Sequence, residues 1–477
     1  MKKVIILSSV FAFFAGVLFF SCGTTKSVTE EPTQPETPTV KEEPKEPEKK
    51  EPEDPPNVAF AKNLQKELEG GNIKAAINLF DSLPSELEND TEMKMLLSSL
   101  YISDGQFEKA TETANAVLTL EPENMEALEI VTLAAKASGN SQVYKQKQKE
   151  ILAIDPYNAS ANIMIGDEYA MSRKYKLARD SYKKALKNEP DNTDALFGYA
   201  QMSYYMDDLR ASKRTLEQLL DKDSENASAL YFMGKLSAEE SNYVKASAYV
   251  KKAIDIEPGR YDFWLDYGNY LRYQGKFADA AKAWDKATEI DSTYFLAYAY
   301  LAGLYDEQDK FDLALQNYLK VIETNPQYFY AYEETAILEY HAGNYDQARY
   351  YFSKAYEYSK NYSYPLLMAV TYLKQNDSFN AKKVLTALLK TMDRESAEYN
   401  LVRFYAENYS RNAETVLIQK INKEDDSTKR GKMLFYMGLY YELNGNEEVA
   451  TEYYTKVKAM TAPMFFEYRF AEWSLGL

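Results

Sequence analysis

The chain has 477 residues, of which 45% are hydrophobic and 27% charged, an ordinary globular balance with ample length to bury a core. A formal net charge of −17 argues against nucleic acid as a partner, because phosphate contacts depend on clustered Lys and Arg. The single cysteine excludes an intramolecular disulfide, and the single histidine excludes a multi-histidine metal site.

The first element is a leader. Met1-Lys2-Lys3 gives a positive start, and Val4 to Phe20 is apolar except for Ser8, Ser9 and Gly16. Charge followed by a short hydrophobic run is the pattern of a secretory signal, and the run is at the short end for a spanning helix. Phe19-Phe20-Ser21-Cys22-Gly23 places a small residue and then the only cysteine at the end of that run. This resembles a relaxed bacterial lipobox. The resemblance implies a signal peptide over 1–21, diacylglycerol on the Cys22 thiol, and, with Gly23 rather than Asp next, passage to the bacterial outer membrane. Which face of that membrane the protein occupies stays open.

The next segment, up to residue 56, is rich in Pro, Glu, Lys and Thr, with Pro32, Pro35, Pro38, Pro44, Pro47, Pro52, Pro55 and Pro56. Too little of it is apolar to offset chain entropy, so 22–56 is expected to be the lipidated cysteine followed by a disordered tether. At about 3.1 Å per residue, an extended polyproline chain of this length reaches roughly 100 Å.

From Asn57 to Met464 the sequence divides into blocks of 34 residues without insertion: 57–90, 91–124, 125–158, 159–192, 193–226, 227–260, 261–294, 295–328, 329–362, 363–396, a divergent 397–430, and 431–464. Position 8 is small in Ser98, Thr132, Gly166, Ala200, Gly234, Gly268, Ala302, Ala336 and Gly438. Position 20 is alanine in Ala76, Ala110, Ala178, Ala246, Ala280, Ala314, Ala348 and Ala450. Two such seams let helices approach closely. Position 15 carries Gly71, Gly105, Gly139, Gly275, Gly343 and Gly445, with Asp207, Asp309 and Asp377 elsewhere, which suits a left-handed helix stop. Position 17 is aromatic in Phe107, Tyr175, Tyr243, Phe277, Phe311, Tyr345 and Phe379, expected to fill the corner after the turn. Position 32 is proline in Pro122, Pro156, Pro190, Pro258 and Pro326, ending the second helix. Each block therefore reads as helix, turn, helix, loop. Phe404 and Val416 break the small positions in 397–430, so this block is either a distorted pair or a bend. The last stretch, 465–477, sets Phe466, Phe470 and Trp473 at helical spacing against Glu467, Arg469 and Glu472, and is expected to be a C-terminal capping helix.

With these residues in view, the chain resembles the tetratricopeptide-repeat (TPR) family. Residues 159–192 match best, through Ile165-Gly166, Tyr169, Tyr175, Ala178, Tyr182, Ala185 and Pro190, with Asn162 departing at position 4. The resemblance implies an all-α, right-handed superhelical solenoid of about twelve helix-turn-helix units, here in a bacterial lipoprotein. In such arrays each unit is stabilised mainly by its neighbours.

Chemistry is sparse by comparison. His341, next to a turn, reads as a surface or groove histidine. No phosphate-binding glycine loop is present, and no cofactor is expected. Asp221, Asp223 and Glu225 alternate like the start of a calcium loop, but Asn226 replaces the turn glycine and Phe232 the bidentate Glu, leaving a polar loop. Lys145, Lys147 and Lys149 read as a solvated helix face.

The 42 tyrosines are the stronger signal. The family resemblance implies a concave groove lined by positions 2, 5, 9, 12 and 13 of the first helix. That assigns Phe197, Tyr204, Tyr205, Tyr231, Asn269, Arg272, Tyr273, Tyr330, Tyr340 and Tyr364 to a partner-binding groove, although interior packing competes for each ring. Tyrosine joins apolar area to a polar tip with little rotamer freedom to lose. The reading is a non-enzymatic scaffold that binds a protein or peptide partner. A surface adhesin for host proteins or glycans, and a periplasmic ligand-binding partner of a transporter, are the alternatives.

Overall fold

The computed structural model describes residues 54–407, 411–461, 463 and 465–477. The segments expected to be a signal peptide and a tether, with Cys22 between them, lie almost entirely outside these residues. The described residues are all-α, with no strand, and consecutive helix pairs pack as a tetratricopeptide solenoid. No helix among them is long and apolar enough to cross a membrane. They divide into two compact bodies, up to Phe232 and from Met233.

From Met125 to Tyr358 the pattern is regular: a 13-residue A helix, a tight turn, then a 14-residue B helix. Several A helices begin where position 34 of the preceding block supplies a cap, whereas Arg260, Tyr294 and Tyr328 stand there without a side-chain cap. Asn124, Asn158, Asn192 and Asn226 accept a hydrogen bond from the backbone N–H three residues on, at 3.0, 2.8, 3.0 and 3.0 Å. Each satisfies one of the orphan donors of a helix start.

The A helices end in a left-handed residue. Gly71, Gly105, Gly139, Gly275, Gly343 and Gly445 have φ between 71° and 78°. Where glycine is absent, Arg173, Asp207, Ser241 and Asp309 take the same conformation, with φ of 54–61°. A Cβ there costs about 1–2 kcal/mol, least for Asn and Asp. Arg173→Gly is therefore expected to raise stability by about 0.5–1 kcal/mol, after the added chain entropy of glycine is subtracted, as read by urea denaturation.

The two small seams have distinct physical causes. The position-20 alanines from Ala76 through Ala348 have no exposed surface, so a larger side chain would hold the two helices of a pair apart. The position-8 glycines lie under the side chain at position 24, an aromatic ring in three cases and Val250 over Gly234. A Cβ on Gly166 would come 2.7 Å from the Tyr182 ring, one on Gly268 2.4 Å from Trp284, and one on Gly438 2.8 Å from Tyr454. Tyr182 is wedged from the other side as well, since a Cβ on Gly198 of the next A helix would lie 2.5 Å from its ring.

Repeat 10 departs from the period. Its A helix, Ser363–Lys374, has 12 residues, the left-handed residue is Asn376 rather than Asp377, and Asp377 instead caps the next helix through the Asn380 N–H at 3.0 Å. Everything after the turn is drawn back by one. Ala381 takes the buried place that position 20 fills elsewhere, and Phe379 is 80% exposed, so it fills no corner as position 17 was expected to do.

The divergent block holds two short helices, Ala397–Ala406 and Arg411–Asn422, followed by a 17-residue A helix, Ser427–Leu443. Phe404 is buried with its ring centroid 4.3 Å from that of Tyr440. The long helix also reaches past the short pair to repeat 10. Lys374 Nζ donates to Glu442 Oε1 at 3.0 Å, and the Tyr436 hydroxyl lies 3.4 Å from the Ser363 carbonyl oxygen.

Candidate protein-binding groove

The ten residues assigned to the groove fall into three groups. Tyr205, Tyr273 and Tyr330 are 47%, 66% and 54% exposed. Tyr205 stacks on Tyr175 with centroids 5.2 Å apart, and Tyr273 on Tyr243 at 4.5 Å. In both cases position 13 of one A helix meets position 17 of the preceding repeat. The ring is thus held in place while much of it faces solvent, a state that limits the entropy lost on binding.

Phe197, Tyr204, Asn269 and Arg272 are partly buried. Phe197 and Tyr204 meet the Phe232 ring edge-on, with centroids 5.5 and 5.6 Å away. Asn269 Nδ2 is 3.5 Å from Asp266 Oδ1, and Arg272 pairs with Glu307 of the next A helix.

Tyr231, Tyr340 and Tyr364 face protein instead. Tyr231 is buried beside Phe232, with centroids 5.7 Å apart. Tyr364 is 1% exposed, gives its hydroxyl proton to Glu333, and stacks on Phe466 at 5.9 Å and 7°. Tyr340 lies 5.0 Å from Phe470 between centroids. Burial drives the Tyr340 phenol well above its usual range.

Phe466 and Phe470 bring a second feature into view. The C-terminal helix, Glu467–Ser474, packs on the B helix Glu447–Lys458 and turns back toward repeats 8 and 9. Arg469 donates to both carboxylate oxygens of Asp306, at 2.9 and 2.6 Å, and lies 3.9 Å from Glu334. Trp473 packs on His341 with centroids 3.9 Å apart and meets Phe311 edge-on at 5.7 Å. The Arg469 guanidinium covers both the Trp473 and Phe311 rings.

Three groove carboxylates were absent from the sequence assignment, Asp306, Glu333 and Glu334, while His341 was read there only as a surface or groove histidine. The positional rule that named Tyr340 also points to Asp306 at position 12, Glu333 at position 5 and His341 at position 13. Weighting aromatic residues over carboxylates hid Asp306 and Glu333, and Glu334, at position 6, lies outside the rule. Burial first, then the charges of Asp306 and Glu333, pushes Glu334 up to about 7 against the opposing pull of Arg469. Burial, followed by Arg469, lowers the His341 pKa, with Asp309 opposing.

Among the described residues no group of His, Cys, Asp and Glu is arranged to hold a metal ion. The Asp221–Glu225 stretch forms a loop in which Asp223 accepts from the Glu225 N–H at 3.3 Å and the Asn226 amide at 3.1 Å. Lys147 pairs with Glu150 at 2.7 Å on a helix face.

Comparison with known proteins agrees with this architecture. Tetratricopeptide-repeat family models match residues 91–124, 163–204, 203–261 and 301–363, so these stretches are tetratricopeptide repeats. Proteins of this class act as protein-interaction scaffolds. Among curated relatives, anaphase-promoting complex subunit 3 of Schizosaccharomyces pombe is 19% identical over 47% of this chain and 34% of its own length. DnaJ homolog subfamily C member 3 of Gallus gallus is 25% identical over 43% of this chain and 42% of its own. The chain thus spans less than half the length of either relative. A Pseudomonas aeruginosa pilF structure is similar at 18% identity and a TM-score of 0.39, covering 46% of this chain and 97% of that one. A tetratricopeptide-repeat protein from Parabacteroides merdae gives 15% and 0.38, covering 52% and 98%.

Proposed function

We propose that the chain is a non-enzymatic scaffold, anchored at the bacterial outer membrane through lipidated Cys22, that binds a protein or peptide partner on its exposed groove tyrosines. The observation that carries the binding reading is the pair of stacked but exposed rings, Tyr205 on Tyr175 and Tyr273 on Tyr243. Rigid, half-exposed tyrosines are the residues that binding hot spots favour. Removing both rings, as Tyr205→Ala with Tyr273→Ala, is expected to cut partner capture from crosslinked cells by about tenfold or more, with the fold retained by circular dichroism and the melting temperature lowered only by the lost stacking. Capture at the wild-type level, or no envelope protein captured by the parent chain, would sink the binding reading.

The anchor reading rests on the leader, the single cysteine and the following glycine. Cys22→Ser is expected to abolish acyl labelling and move the protein from the membrane to the soluble fraction. Two acyl chains hold a protein on a bilayer, and neither would then be present. Protease shaving of intact cells separates a periplasmic placement from a surface adhesin.

A further inference from the structure

The C-terminal helix sits over groove positions as a ligand would. Its eight residues are too few to be helical alone in water, so its order comes from its seat. That seat is polar where it is most specific. Asp306 at position 12 and Glu334 converge on Arg469, while Phe311 and His341 frame Trp473 four residues on. Tyr340 and Tyr364 receive Phe470 and Phe466.

The groove beneath this helix carries a charge requirement. Asp306, Glu333 and Glu334 lie close enough for the first and second to push Glu334 upward in pKa; Arg469 offsets Glu334 and pairs with Asp306, while Lys432 opposes the rise of Glu333. An empty groove would leave these carboxylates facing each other in a partly desolvated site, which favours a cationic occupant. Bidentate Arg–carboxylate pairing adds orientation to charge.

We propose that the groove over repeats 8 and 9 is a receptor for a short basic and aromatic helix, occupied in cis by Glu467–Ser474, and that a protein partner presenting an Arg and, four residues later, a Trp binds there by displacing that helix. The site shares no residue with the exposed tyrosine pairs of Tyr205 and Tyr273, so its failure leaves the capture experiment above intact, and the reverse also holds.

The probe is a fluorescent synthetic peptide of residues 463–477. The protein is the full chain, unmodified or as Arg469→Glu, with Arg469→Gln as the milder variant should the charge reversal prevent folding. Because the resident helix competes at high effective concentration, the parent chain is expected to bind the peptide weakly. Either folded Arg469 variant is expected to bind it at least about tenfold more tightly, in line with the loss on breaking a partly buried, bidentate charge pair. The same peptide carrying Glu at 469, or an Arg469→Gln chain that also carries Asp306→Asn, is expected to lose that gain. Equal binding by parent and variant, no binding by folded Arg469→Gln, or exchange of the helix between two labelled copies of the parent chain would each overturn the proposal.

Discussion

Trp284→Ala is expected to destabilise the C-terminal body by about 3–5 kcal/mol, the range for removing a wholly buried aromatic ring. Trp284 has no exposed surface, its indole N–H donates to the Leu265 carbonyl at 3.2 Å, and its ring lies 5.3 Å from that of Tyr300 in the next A helix. It therefore joins both helices of one repeat to the following repeat. Gly268→Ala attacks the same contact from the other side. The new Cβ would come 2.4 Å from the indole nitrogen, and overpacking of this kind costs about 1–3 kcal/mol. Because both changes act on one contact, the double variant should lose less than the two separate losses together. Hydrogen exchange across residues 261–307 checks the location, and a strictly additive pair would show that Gly268 is small for some other reason.

The second large effect is a pH dependence set by buried carboxyls around the C-terminal helix. Glu334 faces Asp306, Glu333 and Arg469, and its pKa is pushed up to about 7, chiefly by burial. Glu467 has no exposed surface. Its Oε1 receives the Tyr436 hydroxyl at 3.2 Å, Lys432 is 4.0 Å from Oε2, and burial raises its pKa against the pull of Lys432, Ser363 and Tyr436. For both groups the folded pKa exceeds the unfolded one, so the folded protein binds more protons between the two values. Their contribution is greatest below the unfolded carboxyl pKa and is lost as pH rises through the folded one. Urea denaturation is thus expected to show the C-terminal body weakening from pH 5 to 8. Glu334→Gln should remove up to about 3 kcal/mol of that decline, and adding Glu467→Gln should flatten it further. A double variant with the parent's slope would show that these carboxyls titrate as if exposed.

The period, the two seams and the left-handed turn were legible because each has a backbone or steric cause that repeats at one position, as at Gly275 and Gly268. Repeat 10 was not, because Asn376 and Asp377 are both good turn residues. Sequence cannot say which takes the left-handed conformation and which caps the helix, and that choice moves Ala381 in and Phe379 out. Groove position likewise gives the direction a side chain faces and not what covers it. Tyr205 and Tyr364 obey one rule, yet the first is half exposed and the second is closed over by Phe466. The C-terminal stretch was read through the spacing of Phe466, Phe470 and Trp473, which puts Glu467 and Arg469 on a wet face. The contact with Asp306 lies 163 residues away in sequence and leaves no periodic trace.

That long closure has a consequence for how the chain is made. Synthesis runs from the N-terminus at roughly 5–20 residues per second, so Asp306 precedes Arg469 by on the order of 10–30 s. Repeats 8 and 9 are complete once Tyr362 has been made, about a third of the way through that interval, and Asp306, Glu334 and His341 then await the last helix. The acid-lined groove is then open to any basic, aromatic segment that reaches it first.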